Sequence, residues 1–393
     1  MSQVARAVPR FTAARLAGYY GAAFAFGGVS LPFWPTWLEA RGLTRSEIGV
    51  LLAAGMMARI LATPLISRLA DRTGARRRLI VALVLISFAC WCGMTVAAGV
   101  VVLVALTMLA QGCTAAAMPL VEDTTLGAVR AHALDYGRIR IAGSITFLTA
   151  SFAGGLWLTG RAPSVVLALM IALAAAMVAA ALALPDLRPT EPLTIRFVAG
   201  MRRVLAQRAL RRMFLASGLI QASHMVYYGF GTIQWRAAGL SDGFIGFLWA
   251  EGVVAEIVLF WCSAPLLRRL TPAGLMLLGG GAGALRWTLT GLTADPVALL
   301  ALQVLHGFTF GATHLGAMHY LRDRAAPGLT ATAQGLHSAL PMGALGGLTM
   351  LASGPLYGAV GAGAYQAMAA MALVGGAIAW LLLKAPRRAD GSG

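Results

Sequence analysis

The sequence predicts an all-α integral membrane protein, with twelve transmembrane helices in two pseudo-symmetric six-helix bundles. Three observations carry that reading. Of 393 residues, 59% are hydrophobic and only 11% charged, with mean hydropathy +0.77, whereas soluble domains are about 25% charged. Apolar stretches of about 20 residues, enough to cross a bilayer as helix, recur twelve times and use nearly the whole chain. The basic residues sort by loop, crowding the links on one side of the membrane and nearly missing from those on the other.

The expected spans are 16–38, 47–67, 79–98, 100–122, 138–159, 164–184, 213–235, 243–264, 272–292, 297–320, 330–352 and 361–383. With the N-terminus inside, the inner segments hold 25 basic residues, including Arg6, Arg10, Arg68, Arg76, Arg188, Arg196, Arg387 and Arg388. The outer links hold four, Arg41, Arg45, Arg161 and Arg236. This is the positive-inside pattern, which places both termini in the cytoplasm of a bacterial-type inner membrane. It also accounts for the net charge of +17 without nucleic acid as a partner. The first stretch is longer than a signal-peptide core and lacks a small-residue cleavage site, so it reads as a retained span. Cys90, Cys92, Cys113 and Cys262 fall inside spans without a CxxC pair and read as buried small hydrophobes.

The chain repeats itself. RGLTRSEIGVLL, from Arg41, and AGLSDGFIGFLW, from Ala238, share Gly-Leu and Ile-Gly at one offset of 197, which also equates Arg59 with Glu256. The boundary is a basic link carrying Pro185, Pro189 and Pro192. The expected organisation is therefore a first bundle over 1–185, a linker over 186–212 and a second bundle over 213–393. Parallel repeats of this kind are typical of rocking transporters with a site where the repeats meet.

A charge near the bilayer centre costs at least about 2.5–3.5 kcal/mol, so such residues face a cavity or a partner. Following the spans in order, span 1 carries Tyr20, Phe24, Gly27, Leu31 and Trp34 as an aromatic stripe. Span 2 carries Arg59, read either as an interface clamp or as an anion contact. Span 4 places Gln111 and Glu122 on one helical face, and span 5 begins a stripe at Arg140, at a depth that permits a Glu122–Arg140 pair. Span 7 sets Gln221, His224, Tyr228, Thr232 and Trp235 on another stripe. Span 8 holds Glu251 and Glu256, about 140° apart on a helix, so both cannot face one cavity; the deeper Glu256 is the expected titrating group. Span 9 carries Arg286, and its Gly279–Gly283 run lacks the Lys-Ser/Thr of a phosphate loop. Span 10 carries His306, with Gly307 and Gly311 in a GxxxG that favours close helix packing. His314, His319 and His337 read as less informative.

Certain motifs carry a family resemblance. RLADRTGARRR, from Arg68 to Arg78, resembles the loop between spans 2 and 3 in the major facilitator superfamily. There Asp71 caps a helix or pairs with a base, and Gly74 permits the turn. Arg59, Asp71 and Arg72 are accordingly the gating candidates. The matching second-half loop, LLRRLTPAGLM from Leu266, lacks that Asp and Gly, so gating is expected to be asymmetric. PFWPTWLEARGL, from Pro32, and DYGRIRIAGS, from Asp135, resemble the branch of lactose permease, the nucleoside-proton symporters and the phenylpropionate permeases. AMHYL, from Ala317, favours the last group. The resemblance implies that Glu122 and Arg140 hold substrate and that Arg286 and His306 handle protons. It breaks at Thr309, where lactose permease has a carboxylate.

The sequence thus reads as a proton-coupled symporter for a small organic solute, and the resemblance points to an aromatic or other small organic acid. Substrate contacts are expected from Glu122, Arg140, Gln111, Tyr20, Trp34, Gln221, His224 and Tyr228. Proton coupling is expected from Glu256, Glu251, Arg286 and His306. A sugar or nucleoside substrate and proton-driven export are the alternatives. No cofactor is expected beyond the proton gradient, and no metal. The partners are substrate, protons and the bilayer, with the chain acting as a monomer. An embedded enzyme is disfavoured, since HExxH and metal-spaced Asp/His sets are missing from the sequence, and a channel is separated by counterflow.

Overall fold

The computed structural model describes residues 11–186, 197–326 and 329–384. Arg6, Arg10, Arg188, Arg196, Arg387, Arg388, Pro189 and Pro192 lie outside them. The described residues are 87% helix, with no strand among them. Helices run as α1 (Thr12–Ala40), α2 (Arg45–Thr73), α3 (Arg76–Gly93), α4 (Val100–His132), α5 (Tyr136–Leu158) and α6 (Val165–Ala183). They continue as α7 (Phe197–Ala206), α8 (Arg208–Ala222), α9 (Met225–Ala237), α10 (Asp242–Trp261), α11 (Ser263–Arg269), α12 (Pro272–Thr290) and α13 (Pro296–Val304). A π-helical segment, π1 (Gly307–Ala312), leads into α14 (Thr313–Arg324). Then α15 (Thr330–His337) runs through π2 (Ser338–Leu345) into α16 (Gly346–Val360), before α17 (Ala364–Leu383).

Among the described residues seven helices are long and apolar enough to cross a membrane, including Arg45–Thr73, Val100–His132 and Asp242–Trp261; the expectation of twelve goes beyond that count. Leu61, Leu65, Val101 and Val297 stand largely exposed on helix surfaces. Lipid tolerates such side chains, while helices satisfy the backbone internally. The helices also depart from the expected spans. The apolar stretch of span 4 ends near Glu122, yet α4 continues through Gly127 to His132, because a polar surface by itself does not stop a helix. Cys90 and Cys113 are buried, but Cys262 is exposed where the chain passes from α10 to α11, which corrects the reading of all four as buried.

Packing divides the chain into two compact units. One comprises Met1–Leu43, Ala54–Thr194 and Ser241–Phe247; the other comprises Thr44–Ala53, Ile195–Leu240 and Leu248–Gly393. In the first unit α1 packs along α5 and α6. Thr146 and Ser151 on α5 donate to the Gly21 and Gly28 carbonyls of α1, both at 2.8 Å. The core there gathers Leu16, Tyr19, Val84, Leu120 and Met177. In the second unit α12 packs on α17 and α17 on α8, over a core of Met213, Ile220, Met276 and Leu321. Part of the expected linker is structured, since Val204 of α7 is buried in that core. The sequence repeat has a backbone counterpart: Gly42 and Gly239 both adopt positive φ, +81° and +88°, just past the ends of α1 and α9, a conformation in which a Cβ is costly.

The second unit departs from regular helix in four of the expected spans. Span 7 breaks between α8 and α9 at Ser223–His224, span 8 breaks between α10 and α11 at Cys262, and the tenth and eleventh expected spans carry π1 and π2. Such interruptions inside membrane helices are characteristic of functional positions.

Candidate functional site

The polar residues form two clusters, one in each unit. In the first unit Glu122 of α4 accepts hydrogen bonds from the Tyr20 hydroxyl of α1, at 2.5 Å, and from the Tyr136 hydroxyl at the start of α5. Tyr136 is held there because Asp135 caps α5 by accepting from the Arg138 amide. Arg140, one turn on, lays its guanidinium over the Phe24 ring at 4.2 Å and the Tyr20 ring at 5.4 Å. The expected Glu122–Arg140 pair is not formed among the described residues, because two phenols stand on the carboxylate and two rings flank the guanidinium. The result is an acceptor, two hydroxyls and a cation lined by aromatic faces, a set suited to a small solute with a ring and a polar group.

In the second unit Arg286 of α12 is 1% exposed and lies over Trp287 and Tyr227. It donates to Gln303 Oε1 at 2.5 Å, to His306 Nδ1 at 2.9 Å and to Thr309 Oγ1 at 3.2 Å. A guanidinium cannot accept a hydrogen bond, so Nδ1 of His306 must accept; the geometry is that of a neutral ring with its proton on Nε2. That Nε2 lies 3.8 Å from Glu256 Oε2. Close packing permits this approach. A Cβ on Gly307 would meet the Ala255 carbonyl at 2.8 Å, and one on Gly311 would touch Glu256 Cγ at 3.4 Å, so the GxxxG face lets α10 come close to span 10. His224, at the break between α8 and α9, directs Nδ1 at the Ile220 and Gln221 carbonyls and so accepts on Nε2 from Thr309 Oγ1, at 3.0 Å. Arg286, Thr309 and His224 thus form one oriented chain.

The remaining predicted residues are placed unevenly. Gln221 donates to the Phe310 carbonyl inside π1, at 3.3 Å, and Tyr228 packs on His224 and Trp249, so both join the second cluster. Thr232, of the same stripe, accepts from Trp249 Nε1. Gln111 lies against Gly55 of α2. Trp34, expected to line a pocket, is instead buried against Trp37 and Trp91, because its large ring completes the core of the first unit. Glu251 has a buried carboxylate oxygen, Oε2, without a hydrogen-bond partner among the described residues. Arg59 is exposed on α2. Asp71 pairs with Arg76 at 3.8 Å, and Arg76 reaches Asp123 of α4 at 2.7 Å, whereas Arg72 is exposed at the end of α2.

Sequence reasoning missed Tyr136, Gln303, Asp123 and the role of Thr309. Tyr136 sits inside the quoted DYGRIRIAGS motif, and Gln303 precedes His306 by three residues, on the same helical face. The sequence marks Thr309 only as a missing carboxylate, yet its hydroxyl joins Arg286 to His224.

The MFS_1 like family model matches residues 13–367. The probable 3-phenylpropionic acid transporter of Escherichia coli (strain K12) is 34% identical over 361 residues, covering 91% of this chain and 94% of that protein. The maltose permease of Geobacillus stearothermophilus is 28% identical over 383 residues, covering 95% of this chain and 94% of that protein. The crystal structure of the nucleoside transporter NupG superposes with a TM-score of 0.85 at 16% identity, covering 95% of this chain and 100% of that one; this last likeness establishes the shared fold.

Proposed function

The chain belongs to the MFS_1 like family, whose members are membrane transporters and not enzymes, and on that premise we propose that it imports a small aromatic organic acid together with protons, by alternating access. The observation that carries this reading is the second-unit cluster, in which a buried guanidinium fixes a neutral His306 against the Glu256 carboxylate. A carboxylate beside an oriented imidazole can take up and release a proton as its surroundings change. Glu256 is the proton carrier in this reading, and Arg286 orients His306. The relative named for 3-phenylpropionic acid supports the substrate class. So does the first cluster, where Arg140 can receive the substrate carboxylate while Tyr20 and Phe24 flank the ring. The protein works in the bacterial inner membrane, with its basic loops in the cytoplasm.

The test is internal pH in proteoliposomes as 3-phenylpropionate, a disaccharide and a nucleoside are added in turn. Wild type and Glu256→Gln are compared, with an ionophore control for passive entry of the weak acid. Acidification above the control with 3-phenylpropionate alone, lost in Glu256→Gln, is the expected result. A response to the sugar or nucleoside would replace the substrate class. Undiminished acidification in Glu256→Gln would remove that residue as carrier.

A further inference from the structure

The second unit holds two histidines that the symport reading does not use, His314 on α14 and His337 at the end of α15. His337 is 1% exposed, and Nδ1 of His314 is buried without a hydrogen-bond partner among the described residues, although buried polar atoms are normally paired. Both are linked to the Arg286 cluster by a line of rings. His306 stacks on Phe310 at 5.5 Å and 16°, Phe310 on His314 at 6.2 Å and 10°, and His314 meets His337 at 6.4 Å. Eight residues of helix, about 12 Å of rise, separate His306 from His314, in the direction assigned above to the cytoplasm.

We propose that His314, His337 and Ser217 carry the proton from the Glu256–His306 pair to the cytoplasmic face, with Phe310 closing the route. This rests on the proton-symport reading. The hydrogen bonds define the polarity of the path. Ser217 Oγ donates to the Met213 carbonyl at 2.9 Å, so it accepts from His337 Nε2 at 3.1 Å. The neutral His337 ring therefore keeps Nδ1 as its acceptor. A proton leaving Glu256 reaches Nδ1 of His314 through water. The resulting imidazolium gives up its Nε2 proton through a bridging water to His337 Nδ1, and His337 releases its own Nε2 proton past Ser217. Each ring is neutral again at the end but carries its proton on Nδ1 in place of Nε2, so a ring flip or a water-assisted exchange of tautomer restores the Nε2–H before the next transfer, and the net change is one proton moved.

The π segments supply the gate. Each begins on the residue after a histidine of this path, π1 after His306 and π2 after His337. A π turn holds an extra residue, so its conversion to α-helix rotates the side chains beyond it by about 100°. Phe310 lies inside π1, and Gln221 holds its carbonyl, so a change of register moves the ring that separates His306 from His314. The ionisable groups on the elements packed against α14 are Arg286 on α12, His337 on α15, and Arg208, Arg211 and Arg212 on α8. Those against α15 and π2 are Arg202 and Arg203 on α7, the same three arginines on α8, Tyr357 on α16, and His314, His319, Tyr320, Arg322, Asp323 and Arg324 on α14. The one carboxylate of that set, Asp323, is paired with Arg322 at 3.1 Å, so the imidazoles are the groups suited to pass a proton.

The experiment compares proton-driven net uptake of 3-phenylpropionate with its exchange at equal pH, in which no net proton release is required. His314→Asn and His337→Asn should slow net uptake about tenfold or more while exchange stays within about twofold. Added imidazole should restore net uptake to His337→Asn's smaller counterpart, His337→Gly. Unchanged net uptake in both Asn variants, or equal loss of net uptake and exchange in protein that elutes and melts as wild type, overturns the path. Should the Asn variants misfold, His314→Gln, judged by the same two rates, replaces them. A wild type that moves 3-phenylpropionate without protons, or does not move it, overturns the symport reading itself, and the path with it.

Discussion

The two units meet the cost of an intramembrane charge by different chemistry. In the first, Glu122 is held by two phenols from neighbouring helices, and Arg140 rests on aromatic faces; α1, α4 and α5 run there without interruption. In the second, Arg286 is enclosed by an amide, an imidazole and a hydroxyl, and the helices supplying or flanking these groups are broken or π-wound. The backbone repeat is kept, as Gly42 and Gly239 attest, while the repeat position at mid-span carries Arg59 in one half and Glu256 in the other. The halves share that turn and differ in their polar side chains, with uninterrupted helices carrying the first cluster and interrupted helices the second; in the proposed reading the first meets the solute and the second the proton.

The largest expected effect tests that division directly. Arg286→Met leaves Gln303, His306 and Thr309 without their common donor inside a closed core, and removing one partner of a buried charged network costs about 3–5 kcal/mol. Uptake should vanish and the melting temperature in detergent should fall clearly. Arg140→Met, at a half-buried guanidinium held by ring faces, should leave the melting temperature near wild type while raising the KM for 3-phenylpropionate. Equal destabilisation by both variants would erase the distinction between a structural network and a binding set.

A smaller effect sharpens the first half. Tyr136→Phe removes one of the two hydrogen bonds to Glu122, and a hydrogen bond to a charged group is worth about 1.5–3 kcal/mol. Part of that loss is recovered by solvent or substrate at this half-buried carboxylate, so uptake affinity should fall by roughly tenfold, with exchange and net uptake affected alike. A variant that lost proton coupling but kept affinity would move Glu122 into the proton machinery.

The class of fold was legible because hydropathy and basic-residue sorting are properties of long stretches, which survive local irregularity. The repeat was legible from Gly42, Gly239 and their neighbours. Hydrophobic periodicity does not register a change of helix winding, so π1, π2 and the break at Ser223–His224 went unseen, although each contains or follows a polar residue already singled out. Partners across helices were the least legible. Glu122 and Arg140 lie near in sequence and opposite in charge, which suggested a pair, yet Tyr20 comes from 102 residues away and takes the carboxylate. Trp34 shows the converse error: a stripe of aromatics on one helix does not say whether the ring meets a cavity or, as here, Trp37 and Trp91.

The smallest effect concerns the loops that the two halves do not share. After α2, Arg76 links Asp71 to Asp123, whereas the corresponding second-half turn uses Thr271, which caps α12 by accepting from the Gly274 amide at 3.1 Å. Asp71 and Asp123 are well exposed, and exposed ion pairs contribute about 0–1 kcal/mol, so Arg76→Gln should barely change resistance to denaturant. If the link nevertheless ties the end of α2 to α4 during the transport cycle, Arg76→Gln should lower the maximal rate several-fold at unchanged KM. Exchanging the charges in an Arg76→Asp, Asp123→Arg double variant should recover part of that rate. Thr271→Ala provides the contrast: loss of a helix cap costs about 1 kcal/mol, so it should weaken the fold more than Arg76→Gln while leaving the maximal rate intact. A reversal of that pattern would assign the turnover-limiting contact to the second-half turn, and with it the asymmetry in gating that the two loop sequences suggest.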